Sequence, residues 1–239
     1  MNLRNLRFLP DILLKIFGLI PAYVFHNFAK AKMLRLVFWH QALDEVPGAY
    51  VEFGVASGNS MRSAEIAERK TFSKSLGIKR IERQLYGFDT FSGFSSSFSG
   101  DDHRVWSGDS FSVDLDKVKK RFKNCGGRVK FVKADAQSLG KNYHNEKISD
   151  YVDDNFIAIA LFDMDLSEPT YVALEFIKEK LNHGSIIIFD EYNGFKSDEN
   201  LGEFRALYKF LDNNKQFSVR LYLRYGDGGA AFQLLKNKN

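Results

Sequence analysis

Cysteine is nearly absent from this chain. Cys125 is the single one among 239 residues, so no intramolecular disulfide can form, and a reducing, cytoplasmic setting is expected. It lies in a polar turn, Asn124–Gly127, where nothing marks it as a nucleophile. A strong charge of one sign is also missing. The net charge is +4 with acids and bases interspersed, too mild to imply a nucleic-acid partner. The basic cluster Lys117–Lys123 reads as the solvated face of a helix. No apolar run reaches the roughly 20 residues that span a bilayer. The stretch Ile16–Phe28 is too short and contains Pro21, and Asp11 and Lys15 interrupt what precedes it. Arg4 and Arg7 resemble the start of a signal peptide, but no small-residue cleavage site follows. The chain has no Ser/His/Asp set, no Walker loop and no zinc-ligand spacing, which leaves hydrolase and nucleotide-triphosphatase chemistry without support.

What is present is a globular composition, 44% hydrophobic with 23 Phe, and a length that suits one domain with an appendage. Residues 1–45 are expected to form that appendage, as two or three short amphipathic helices. They would cover the core or mediate self-association into a homo-oligomer, with peripheral membrane contact through their Phe, Leu and Ile residues as an alternative. The turn Glu45–Gly48 (EVPG) then opens the main domain, 46–239.

The stretch that organises this domain is Tyr50–Ser60, YVEFGVASGNS. Tyr50, Val51 and Phe53 read as the end of a buried strand. Gly54 and Gly58 mark a turn, and Asn59 or Ser60 is placed to cap the helix that follows. Glycines let backbone approach a ligand closely, and the N–H groups of a first helical turn point at it. The pattern is Glu52-x-Gly54-x-x-x-Gly58, with Ala56 where a dinucleotide fingerprint needs its middle glycine. A carboxylate beside such a turn suits a ligand with an amino group and a sulfonium better than a pyrophosphate.

Further strands are expected at Leu85–Phe88, Val129–Val132, Phe156–Phe162 and Ser185–Phe189. These lead into Asp89, Asp135, Asp163 with Asp165, and Asp190-Glu191. Helices are expected at Val113–Phe122, Thr170–Leu181 with a stop at His183-Gly184, and Glu203–Leu211. Ser218–Arg224 and Ala230–Leu235 flank a glycine-rich hairpin turn. The fold class is therefore α/β: a doubly wound sheet, mostly parallel, with a C-terminal antiparallel hairpin. Acids at successive strand ends share one sheet edge, where such sheets bind ligands. The segment Ser92–Asp102 is long and rich in Ser and Gly, and its continuation Phe98–Trp106 is expected to act as a lid.

These residues carry a resemblance. Glu52-x-Gly54-x-x-x-Gly58 with Asp89 and Asp135 resembles the class I S-adenosylmethionine-dependent methyltransferases, which are Rossmann-like. VPG running into YVEFGVASGNS, then YGFDTFSGF, LFDMDLSEPT and IIIFDEY, is similar to the macrocin O-methyltransferase family, over roughly Val46 to Leu211. The resemblance implies metal-dependent methylation of a sugar hydroxyl. It puts the turn Glu52, Gly54, Val55, Ala56, Gly58, Asn59 and Ser60 around the methionine part of S-adenosylmethionine. Asp89, with Thr90 and Phe91, falls at the ribose, and Asp135 with Ala136 at the adenine. Asp163, Asp190 and Glu191 correspond to the metal carboxylates. The chain departs from the family in Glu191, where Asp is usual, and in Ser167 and Pro169, where Tyr and Ser are usual.

Methylating an alcohol calls for a base, a metal or both. Converging carboxylates at Asp163, Asp190 and Glu191 would select a hard divalent ion, Mg²⁺ first. Asp163 is the leading catalytic residue, and His103 in the expected lid is a second candidate. The acceptor is expected to be a small molecule or glycan. A nicotinamide oxidoreductase and a catalytically idle binding module remain the alternatives.

Overall fold

The computed structural model describes Lys15, residues 17–93, 112–135 and 147–237. A seven-stranded sheet runs in the order β3-β2-β1-β4-β5-β7-β6. Its strands are β1 (Ala49–Phe53), β2 (Leu85–Asp89), β3 (Val129–Lys133), β4 (Ile157–Phe162), β5 (Leu181–Phe189), β6 (Phe217–Tyr225) and β7 (Gly229–Lys236). β1 to β5 pair in parallel, whereas β7 is antiparallel to both β5 and β6. This is the doubly wound sheet with reversed C-terminal hairpin that the sequence predicts.

Helices cover both faces. On one lie α1 (Ala22–Leu43), α2 (Asn59–Lys70) and α3 (Leu115–Arg121); on the other lie α4 (Ser167–Ile177) and α5 (Gly202–Asn213). Every residue of β1 and of β4 is buried, which is why the run IAIALF is apolar without alternation.

The abundant phenylalanine has a role here. Phe53, Phe88 and Phe162 sit in register on β1, β2 and β4, and Phe189 is in register with Phe162 on β5. Their rings stack, with centroids 5.0 Å apart for Phe53–Phe88, 5.4 Å for Phe53–Phe162 and 5.3 Å for Phe162–Phe189. Each such pair contributes about 0.5–1.5 kcal/mol beyond simple burial. The residues that follow this aromatic row are Gly54, Asp89, Asp163 and Asp190. Stacked rings in register thus bring the acids to one level at one edge.

The structure departs from the sequence reading in four places. From Ala22 onward the N-terminal segment is one helix of 22 residues, not several short ones, with Pro21 at its start. Its Met33, Leu34, Val37 and Phe38 are buried in the core shared with Tyr50 and Met61. His183 and Gly184 do not stop a helix. They lie inside β5, where Ile157 pairs with Leu181 but Ile159 pairs with Ile186, so the extra residues form a bulge; Gly184 takes φ +87° there. The cap of α2 is Gly58 in the left-handed region, with no side-chain cap from Asn59 or Ser60. Helix α3 starts at Leu115 because the Asp114 side chain accepts the Asp116 N–H at 2.9 Å.

Candidate active site

A cavity of about 420 Å³ opens at the carboxyl ends of β1, β2, β4 and β5. Phe53, Phe88, Met164 and Leu166 supply apolar wall. The turn after β1 and the acids at the strand ends supply the polar one.

The β1 turn is fixed by backbone geometry. Gly54 has φ +86°, and a Cβ there would lie 1.9 Å from the carbonyl oxygen of Asp163, so no other residue fits. Ala56 also takes a positive φ, and its N–H donates to Asp89 Oδ2 at 2.7 Å. The other Asp89 oxygen accepts the N–H of Phe91 at 2.6 Å. One carboxylate therefore joins the turns after β1 and β2 across the cavity edge.

Glu52 lies beneath this turn, fully buried. Its oxygens accept the hydroxyls of Ser60 at 2.5 Å and Tyr50 at 2.6 Å. Burial pushes its pKa up to about 8, against the pull of those two hydrogen bonds. It is not on the cavity wall. Gly58 and Phe91 are not either; Phe91 packs edge-on against Phe131. Gly54, Val55, Ala56, Asn59, Ser60, Asp89, Thr90 and Asp135 all line the cavity, as do Asp163, Asp190 and Glu191. Ala136, His103 and the expected lid Phe98–Trp106 lie outside the described residues.

The acidic end holds what sequence reasoning missed. Helix α1 sends two basic side chains, His26 and Lys30, into the cavity. Lys30 Nζ donates to Asp163 Oδ2 at 2.8 Å and also pairs with Asp190 Oδ2. His26 Nε2 pairs with Asp190 Oδ1 at 3.0 Å, and its Nδ1 with Asp227 in the β6–β7 turn. Tyr225 donates its hydroxyl to the same Asp190 Oδ1 at 2.7 Å. A carboxylate at each ring nitrogen favours the charged form, and the bond to Asp190 raises His26 to about 9 despite burial. Burial opposes the charge on Lys30, yet Asp163 and Asp190 hold its pKa above the usual ammonium range. Burial would push Asp190 up; its bonds to His26 and the charge of Lys30 hold it below the usual carboxylate range.

Around this core the other acids are pushed the other way. Asp163 rises to about 6 through burial and the nearby Asp190 charge, with Lys30 opposing. Glu191 rises to about 8 for the same first reason, with Asp190 and Asp163 adding to it. Its N–H donates to Glu203 Oε2 at 2.9 Å, while Glu191 Oε2 and Glu203 Oε1 are buried without a hydrogen-bond partner among the described residues. Asp165, beyond the end of β4 and at a positive φ of 61°, also lines the cavity. The missed signal was the pair His26 and Lys30, spaced i,i+4 and so on one face of the helix, the face that also carries the buried Met33, Leu34 and Val37.

These residues do not fit a divalent ion as the carboxylates are arranged. Both oxygens of Asp190 are engaged, and the Lys30 ammonium fills the position between Asp163 and Asp190. His26, Asp190 and Glu191 do each offer an atom within 4.8 Å of the others. Both nitrogens of His26, however, already face a carboxylate, Asp190 at Nε2 and Asp227 at Nδ1, so a metal on this ring would have to displace one of those contacts.

The sheet order with its reversed hairpin is the Rossmann-like fold of methyltransferases. The sequence profile of the family described as macrocin-O-methyltransferase (TylF) matches residues 27–216, and the chain belongs to that family; it is an O-methyltransferase. Among solved structures it is similar to CalS11, a TDP-rhamnose 3'-O-methyltransferase of calicheamicin biosynthesis. The identity is 26% and the TM-score 0.55, over 87% of this chain and 80% of that one. It is also similar to the O-methyltransferase NovP, with 19% identity and a TM-score of 0.65 over 87% and 80%. An O-methyltransferase from Bacillus cereus in complex with SAH shares 12% identity and a TM-score of 0.53 over 86% and 80%. No curated protein matches the chain in sequence. Among the described residues no helix is long and apolar enough to cross a membrane.

Proposed function

We propose that this enzyme methylates a hydroxyl of a sugar, carried on a nucleotide or on a glycosylated metabolite, in the cavity beside Asp163. The methionine part of the cofactor would lie along the turn Gly54–Ser60, where the first N–H groups of α2 lack intrahelical partners. Asp89 would receive the ribose hydroxyls, since each of its oxygens keeps accepting capacity beyond the one backbone N–H it already holds. Asp135 would face the adenine. Bound there, S-adenosylmethionine supplies its sulfonium methyl: the acceptor oxygen–carbon bond forms as the carbon–sulfur bond breaks, and the electron pair leaves on sulfur.

Asp163 takes the hydroxyl proton in this reading. It stands on the cavity wall between the β1 turn and the acidic end, and Lys30 holds one of its oxygens and so orients the other. No step passes through a divalent ion. The sugar class comes from the family and from the activity that names CalS11.

The observation that carries the proposal is continuity. One cavity runs from Gly54, Asp89 and Asp135 to Asp163, so cofactor and acceptor subsites share a wall. Mass spectrometry of nucleotide-linked and metabolite-linked sugars incubated with the cofactor tests it. A methyl added to a sugar hydroxyl is expected. Methylation of an amine, or capture of NAD in place of the cofactor, would refute it.

A further inference from the structure

The carboxylates that the family resemblance assigns to a divalent ion meet a cation that belongs to the chain itself. Lys30 comes from α1, which is anchored by the fully buried Leu34 and Val37 one and two turns further on. The Lys30 side chain is only 9% exposed, so its charge is delivered by a packed element rather than by a surface arm. It reaches one oxygen of Asp163 and one of Asp190. His26 and Tyr225 occupy the remaining Asp190 oxygen. A divalent ion entering here would have to expel a buried ammonium and break its charge-assisted bonds to Asp163 and Asp190, on a carboxylate whose other oxygen already accepts from His26 and Tyr225.

We propose that Lys30 is the resident cation of this active site: it takes the position of the divalent ion between Asp163 and Asp190, and methyl transfer in this enzyme is metal-independent. The ammonium does two things an ion would do. It cancels the repulsion between Asp163 and Asp190, and it sets a positive charge on the cavity wall where a hydroxyl gives up its proton. It differs in offering donors instead of open coordination positions, so the acceptor is held by hydrogen bonds rather than chelated as a diol. The longer Glu191, where the family has Asp, is consistent with a site relieved of octahedral geometry. This inference rests on the methyltransferase reading.

The test uses Mn²⁺ alone, titrated into the full chain and followed by paramagnetic resonance of the free ion, with no acceptor needed. The wild type is expected to hold no stoichiometric Mn²⁺. Lys30→Met, which keeps the stem and removes the charge, is expected to gain one site at least about ten-fold tighter than any in the wild type. Lys30→Arg, which keeps the charge, should gain none. One equivalent of Mn²⁺ on the wild type would overturn the proposal, and so would a folded Lys30→Met that takes up none. If Lys30→Met does not fold, turnover of the wild type in excess chelator decides: full activity supports the proposal, and loss restored by Mg²⁺ overturns it. Calorimetry of S-adenosylhomocysteine on the same wild-type sample separates the two readings. Cofactor binding together with Mn²⁺ binding sinks only the resident cation, whereas failure to bind the cofactor sinks the methyltransferase site.

Discussion

Lys30 Nζ donates to Asp163 Oδ2 at 2.8 Å across 133 positions of sequence, tying the N-terminal helix to the carboxyl end of β4. This contact makes α1 part of the cavity wall. Lys30→Ala should therefore destabilise the fold by about 3–5 kcal/mol, the cost of leaving buried carboxylates without their partner. Asp163→Asn in the same chain should recover part of that loss by removing one of the stranded charges. Urea unfolding of both single variants and the double variant measures the coupling; additive losses would show that the pair does not interact.

Asp89 gives a prediction about affinity. Its two oxygens join the N–H of Ala56 to that of Phe91, and the same carboxylate faces the cavity. Asp89→Ala should weaken S-adenosylhomocysteine by about 1.5–3 kcal/mol, roughly ten-fold or more. Calorimetry reads this directly. An unchanged Kd would remove Asp89 from the cofactor site.

Gly54 gives a prediction about the turn. Gly54→Ala places a Cβ 1.9 Å from the Asp163 carbonyl oxygen at a φ of +86°. A backbone clash at a left-handed position should cost several kcal/mol, roughly 3 or more, and displace Asp163. Thermal unfolding with and without cofactor is the measurement, and near-wild-type behaviour of both would contradict the geometry.

Glu52 gives a pH dependence. Its carboxyl is raised from 4.5 to about 8 in the folded chain by burial. The folded state thus holds a proton that the unfolded state releases, and stability falls as pH rises from about 4.5 to about 8, by up to roughly 1.4 kcal/mol per pH unit. Glu52→Gln carries no such proton. Its stability relative to the wild type should rise across that window and level off above it. Parallel unfolding curves for the two proteins from acid to mild alkali would contradict the assignment.

Much of this site was legible in the chain because strand ends leave short, local signatures. FDT, FDM and FDE each place a ring in the aromatic row and an acid after it, so Asp89, Asp163 and Asp190 could be found without coordinates. Gly54 was legible because only glycine tolerates that backbone. His26 and Lys30 were not. Their partners lie far off in sequence, and buried polar residues on the inward face of α1, Gln41 included, blur the apolar stripe that would have marked it as one helix. Glu52 was assigned to the ligand because an acid beside a glycine turn suggests a contact. The nearby hydroxyls of Tyr50 and Ser60 claim it instead. The β5 bulge escaped for a similar reason, since His183-Gly184 is also a plausible helix stop when pairing is unknown.

The most direct measurement of the central claim combines methyl-labelled S-adenosylmethionine, a panel of nucleotide-linked deoxysugars and excess chelator, read by mass spectrometry. The account predicts the label on a sugar hydroxyl, formed at the same rate with and without chelator. Label appearing only when Mg²⁺ is restored would contradict the role given to Lys30, and label on an amine or a nucleobase would contradict the enzyme's proposed chemistry.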